Sequence, residues 1–268
     1  MDGRNDGMTA GVTEFLMAIT RLPSQSAVDG LRVVDRGIPS IDQMLDDHAD
    51  YCSALAETGA NVITLPSLSA FSDGHFVEDT ALCLPEGVIF MSPGAPSRFG
   101  EVAAMRSDIA HLFSTAHQII PPAHIEGGDI LITGTEILVG TSDRTNAKGI
   151  AELTQIVADW GYRVRTVHTP PGVLHLKTDC SLLDDGVVLS TQRLASSGCF
   201  SDYDIILTCE NEEAAANVVR FNELVIMPAG FSSTRERIEA AGYNIRSINN
   251  SECAKIDGGM SCLSLRIA

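Results

Sequence analysis

Two periods alternate along the chain. Across residues 38–58, Ile41, Met44, Leu45, Tyr51, Cys52 and Leu55 recur at helical spacing, and the run stops at Gly59, where a glycine C-cap is expected. Asn61-Val62-Ile63-Thr64-Leu65-Pro66 follows at once and has strand character. The same order, helix then strand, is predicted for 101–113 and 118–120, for 145–160 and 162–167, and for 233–241 and 243–248. An earlier apolar run at 15–19, closed by Arg21, reads as a first buried strand.

Between these units the apolar runs come in pairs separated by tight turns. Residues 81–84 and 88–91 flank Pro85-Glu86-Gly87, and 130–133 and 137–140 flank Gly134-Thr135-Glu136. Residues 182–183 and 187–190 flank Asp184-Asp185-Gly186, and 218–221 and 224–227 flank Asn222-Glu223. A unit of hairpin, helix and strand therefore repeats about every fifty to sixty residues, in structure type more than in residue identity. A ring of such α/β modules closes on itself around a central pit.

Length and composition fit this picture. With 268 residues, 44% of them hydrophobic and 20% charged, one globular domain over residues 1–268 is expected. No apolar run approaches the roughly 20 residues of a membrane span, and no basic segment with a leucine-rich core marks a secretory signal. The seven cysteines are odd in number and contain no C-x-x-C pair, which argues for a reducing compartment, the cytoplasm, and against disulfides or structural zinc. Neither a Gly-x-Gly-x-x-Gly nor a Walker A loop is present, so no nucleotide cofactor is expected. The net charge of −17 opposes nucleic acid and anionic membranes. It would favour approach of a cationic small molecule, although solubility or a saline habitat is the readier explanation.

Several residues could carry chemistry. Cys262 follows Gly258-Gly259, whose glycines permit positive φ and close backbone approach. His175 stands between Leu174 and Leu176, and Glu126 opens Glu126-Gly127-Gly128-Asp129. A buried cysteine, a core histidine and an ordinary turn explain them as well as a thiol nucleophile, a proton shuttle and a carboxylate. Asp73, Glu78 and Asp79 surround Phe76 and Val77, and acidic groups beside packed apolar ones require a partner such as a guanidinium or ammonium. Arg98 and Arg144 lie in glycine- and serine-rich loops after strands, either as surface charges or as forks for a carboxylate.

In order and number these segments resemble the dimethylarginine dimethylaminohydrolases of the guanidine-modifying superfamily. The likeness runs through Ser26–Leu31, Phe76–Asp79, Pro93–Glu101, Glu126–Asp129, Arg144–Asn146, Leu174–Thr178, Met227–Gly230 and Lys255–Gly259. It implies the pentein fold, a five-bladed α/β propeller. It further implies Cys262 as nucleophile, His175 as general acid and base, and Glu126 as the carboxylate orienting His175. Asp79, with Glu78 nearby, would receive the guanidinium. Asp73 and the Leu31 carbonyl would receive the α-ammonium, Arg98 and Arg144 would hold the α-carboxylate, and Ile256 would line the pocket. The loop from Arg21 to Gly30 matches the family's mobile lid. His75 and Asp179 depart from the family pattern and are expected to retune the substrate.

The implied activity is hydrolysis of methylated arginines to citrulline and an amine through a covalent thiouronium, with arginine deiminase chemistry as the alternative. A guanidinium is resonance-stabilised, so attack at its carbon needs a nucleophile as strong as a thiolate. No metal or other cofactor is required, though a thiolate beside an imidazole invites adventitious zinc. Solvated or paired blade edges are compatible with a homodimer.

Overall fold

The computed structural model describes residues 11–134 and 136–268. Among these the alternating periods resolve into five three-stranded sheets, each built from an antiparallel pair and a parallel third strand. A parallel neighbour cannot be reached by a tight turn, so a crossover intervenes in every module. The second module runs β3 (Ala81–Leu84), β4 (Gly87–Phe90), α2 (Phe99–Ile109) and β5 (Ala116–Gln118). The third runs β6 (Ile130–Ile132), β7 (Ile137–Thr141), α3 (Ala147–Ala158) and β8 (Val164–His168). The fourth has β9 (Cys180–Asp184), β10 (Val187–Ser190), α4 (Gln192–Ala195) and β11 (Asp204–Leu207). The fifth has β12 (Val219–Phe221), β13 (Leu224–Pro228), α5 (Ser232–Ala240) and β14 (Asn244–Ile248).

The first module is shared between the two ends of the chain. β1 (Met17–Arg21) pairs in parallel with β2 (Asn61–Leu65) across α1 (Ile41–Glu57). It pairs antiparallel with β15 (Leu265–Ile267), which follows the short helix α6 (Ser251–Ala254), with Met17 opposite Ile267. That pairing closes the ring of five.

α1 shows how sequence makes these elements. Ser40 caps it by accepting from the Gln43 N–H, and Gly59 ends it at φ +84°, a conformation that L side chains avoid. Its face of Ile41, Met44, Tyr51 and Leu55 packs against Phe221, Ile226 and Ile248 from the fifth module. Likewise Ile150, Leu153 and Val157 of α3 meet Leu82 and Ile89 of the second module's hairpin. The core is therefore a chain of patches that tie each module to its neighbour.

In every module a short 3-10 turn leads into the first strand: Val77–Thr80, Gly127–Asp129, Leu176–Thr178, Glu213–Ala216 and Ser261–Leu263. Four of these equivalent turns carry or adjoin Glu78, Asp79, Glu126, His175 and Cys262.

Three expectations change. α4 and β11 were not legible in the pattern, because a four-residue helix is barely one turn of the 3.6 period. The segment from Arg21 to Gly30, matched to the family's mobile lid, is partly packed into the fold. Arg21 is 1% exposed and bonded to Asp108 and the Pro66 carbonyl, and Ala27 is fully buried. The exposed stretch is 33–38. Thr135, in the expected turn after 130–133, lies outside the described residues.

Candidate active site

Close backbone packing explains the glycines around the central turns. A Cβ on Gly127 would lie 2.0 Å from the Glu78 carbonyl oxygen, and one on Gly128 would lie 2.8 Å from the His175 ring. Before Cys262, a Cβ on Gly258 would strike the Phe76 ring at 2.3 Å and one on Gly259 the Asn217 side chain at 2.4 Å. Proximity, not positive φ, is what these two glycines supply. The left-handed residue of the segment is Asp257, at φ +59°.

A hollow of about 110 Å³ lies where the turns meet. Of the residues given a catalytic or binding role from sequence, all but Glu78 and Glu126 line it. Glu126 stands directly behind: fully buried, it accepts from the His175 Nε2–H at 2.7 Å and from the Gly94 N–H at 2.9 Å. Arg144 Nη1 lies 3.4 Å from both Glu126 oxygens.

Burial opposes charge on His175, but Asp79, the Glu126 hydrogen bond and Asp129 outweigh it and raise its pKa to about 9. Glu126 also resists ionisation by burial, and its bond to His175 with the nearby arginines brings it down to about 2. The pair is an imidazolium and a carboxylate at neutral pH. Cys262, half-buried, behaves in the opposite way. Burial, then Glu78 and Asp79, push its thiol up to about 12, against the weaker pull of Lys177. A thiol in an acidic, desolvated corner ionises when a cation arrives beside it.

Asp79 accepts from Arg98 Nη1 at 2.6 Å and from the Gly128 N–H at 2.8 Å. Asp73, whose pKa burial raises, accepts from the Leu31 N–H at 3.0 Å. Arg98 is 3% exposed and donates to Asp79, Glu101 and the Phe76 carbonyl. Its guanidinium thus chiefly supports Asp79, while Arg144 stands more open to the hollow, with 18% of its side chain exposed. Glu78 forms an ionic knot with Lys177 and Arg266 and accepts from the Ser261 hydroxyl at 2.7 Å.

The two departures from the family pattern do not line the hollow. His75 is 2% exposed, lies tilted against Phe76 with ring centroids 4.0 Å apart, and has, among the described residues, no bonded partner for either ring nitrogen. Asp179 is 1% exposed and grips Arg193 through two bonds of 2.5 Å. Sequence reasoning missed Arg193, Lys177 and Asp257, which line a second hollow of about 370 Å³ that shares Cys262 and His175 with the first. Lys177 and Asp257 lay within quoted segments, but nothing in the neighbours of either signals a buried ion pair or a side chain reaching another loop.

Among the described residues, Asp79, Glu126 and His175 bring ligand atoms within 4.8 Å of one another and could hold a metal ion. Doing so would compete with the Glu126–His175 and Arg98–Asp79 bonds. Among the described residues, no helix is long and apolar enough to cross a membrane.

A family model described as arginine deiminase matches residues 72–227. The N(G),N(G)-dimethylarginine dimethylaminohydrolase of Pseudomonas aeruginosa is 38% identical over 253 residues, covering 94% of this chain and 99% of that protein. Its namesake from Streptomyces coelicolor is 28% identical over 256 residues, covering 93% and 96%. Among solved structures, a cysteine-to-serine variant of the Pseudomonas aeruginosa protein complexed with citrulline superposes with a TM-score of 0.92 at 37% identity, covering 94% of this chain and 99% of that one. A histidine-to-glycine dimethylarginine dimethylaminohydrolase, as an adduct with S-methyl-L-thiocitrulline, gives 0.91 at 37% identity with the same coverage. The altered cysteine and histidine in these two structures stand as far apart in sequence as Cys262 and His175 do here. The N-terminal domain of the cyanobacterial arginine dihydrolase ArgZ shares the fold, with a TM-score of 0.83 at 20% identity. Five α/β modules around a cysteine, a histidine–glutamate pair and a buried aspartate, together with near full-length identity of this degree, place the chain in the dimethylarginine dimethylaminohydrolase family.

Proposed function

We propose that this protein hydrolyses N-omega-methylated arginines, giving citrulline with dimethylamine or methylamine. The observation that carries the reading is the buried 2.7 Å bond between His175 and Glu126 at the hollow that Cys262 also lines. The substrate is a small arginine derivative whose guanidinium meets Asp79. Its α-ammonium meets Asp73 and the Leu31 carbonyl, and its α-carboxylate meets Arg144, with Arg98 behind. Ile256 covers the aliphatic chain.

The bound cation offsets the carboxylates that keep Cys262 protonated, so occupancy generates the thiolate. The thiolate attacks the guanidinium carbon and forms the C–S bond. An imidazolium carries two N–H groups, and Glu126 takes one. His175 therefore retains a proton for the departing amine as the C–N bond breaks, leaving a thiouronium on Cys262. Neutral His175 then accepts a proton from water as the water oxygen forms the C–O bond to the thiouronium carbon. The C–S bond breaks, and citrulline leaves with the thiolate restored.

Parallel assays of ureido product from asymmetric dimethylarginine, monomethylarginine and arginine, with Cys262→Ser as the blank, test this. Turnover of the methylated forms alone is expected. Turnover of arginine alone would move the activity to a deiminase, the second reading favoured by the arginine deiminase match over 72–227.

A further inference from the structure

The exposed stretch 33–38 has no regular secondary structure and presents Val33, Val34 and Ile38 at 69%, 53% and 76% exposure. With so little apolar burial, its position depends on polar anchors. Leu31 N donates to Asp73, and Arg36 Nη1 donates to the Ala254 carbonyl at 3.1 Å. Between them, Val33 N donates to Asp257 Oδ2 at 2.5 Å. Asp257 belongs to the segment that continues to Cys262, and its side chain lines both hollows.

The backbone at Asp257 explains how the carboxylate gets there. At φ +59° glycine would sit without strain, and Asp is among the few side-chain-bearing residues that tolerate this region. Two glycines follow immediately, so the chain accommodates glycine locally but carries a carboxylate at this position. That carboxylate meets the strap two residues beyond Leu31, whose carbonyl faces the α-ammonium in the function proposed above.

We infer that Asp257 is a positioning residue: it latches Val33 and thereby fixes the Leu31 backbone at the mouth of the hollow, coupling the strap to the segment that delivers Cys262. This rests on the methylarginine reading only for the identity of what Leu31 meets. The latch itself stands on geometry.

The test uses the full chain with Asp257→Gly, which keeps the backbone relaxed and removes the latch, and Asp257→Asn, which keeps an acceptor oxygen and tolerates the same φ. For Asp257→Gly, KM for the methylated arginines should rise about tenfold while kcat changes less than about threefold, the scale of one hydrogen bond to a charged group. Trypsin should cut after Arg36 correspondingly faster. Alkylation of Cys262 by chloroacetamidine, which has no amino-acid end, should be unaltered. Asp257→Asn should restore both KM and protease resistance. Equal cleavage rates in Asp257→Gly and the parent, an Asp257→Asn as impaired as Asp257→Gly, or a fall in kcat at constant KM would each overturn the latch. If the parent turns over neither methylated arginine, the functional reading fails while the cleavage comparison still decides the latch.

Discussion

Glu78 and Asp79 follow one another on the turn Val77–Thr80, both buried, yet their carboxylates meet different surroundings. Glu78 faces the ionic knot: Lys177 and Arg266 flank it and Ser261 donates to it, and these partners overcome desolvation to hold its pKa below the ordinary range. Asp79 faces the hollow, bonded to Arg98, which is shared with Glu101, and to the Gly128 N–H, with the His175 ring nearby. A carboxylate whose partners all come from the fold serves the fold. One that keeps an open side beside a desolvated thiol is placed to receive a cation from outside.

The contrast can be broken most decisively from the hollow side. His175→Ala should slow turnover of methylated arginine by roughly 100- to 10,000-fold, the usual worth of general acid-base help, while Cys262 still accepts an alkylating amidine. Near-normal turnover would remove His175 from the chemistry.

The knot should answer in stability instead. Glu78→Gln leaves the buried Lys177 and the partly buried Arg266 without their anion, and denaturant unfolding should register a loss of roughly 3–5 kcal/mol. Asp79→Asn should lose less stability and more turnover, since Arg98 retains Glu101. A reversed order, with Asp79→Asn the less stable protein, would break the contrast.

A smaller effect separates the two sides by pH. Because the His175 pKa is raised in the folded protein, its stabilising contribution is whole below the ordinary 6.5 and is lost as pH rises through about 9. Glu126, held down to about 2, supplies the acid limb of the same pair: its contribution is present above 4.5 and is lost as pH falls toward 2. Unfolding curves from pH 6.5 to 9 should lose roughly 2–4 kcal/mol in the parent and stay flatter in His175→Ala. Equal slopes would place the alkaline loss elsewhere.

The smallest shift is expected at Cys262. Its alkylation should accelerate only at strongly alkaline pH in the free protein, and a non-reactive guanidine should move that curve down by about one or two pH units. Superimposable curves would mean that the cation does not generate the thiolate.

Much of the fold was legible because each module repeats a strong local signal. The amphipathic face of α1 and its Gly59 stop follow from residue order alone. α4 and β11 escaped because one is a single turn and the other, Asp204–Leu207, is only half covered by its neighbours. Within the site, the acidic pair and the glycines before Cys262 were visible, as was close approach as a reason for those glycines, but not what approaches them. They yield space to Phe76 and Asn217, residues remote in sequence. The anchoring of Arg21 at the start of the Arg21–Gly30 loop was hidden for the same kind of reason, because its partner Asp108 comes from another module.

By itself the sequence determined the repeated α/β modules, the lack of an apolar run long enough for a membrane span and the residue types suited to attack a guanidinium, because these depend on local periodicity and side-chain chemistry. Only the tertiary structure decided which of two adjacent carboxylates is saturated, that Arg98 supports Asp79 while Arg144 stands more open, and that Asp257 reaches Val33. Those outcomes depend on charges and donors brought together by ring closure, from positions that no local window of sequence contains.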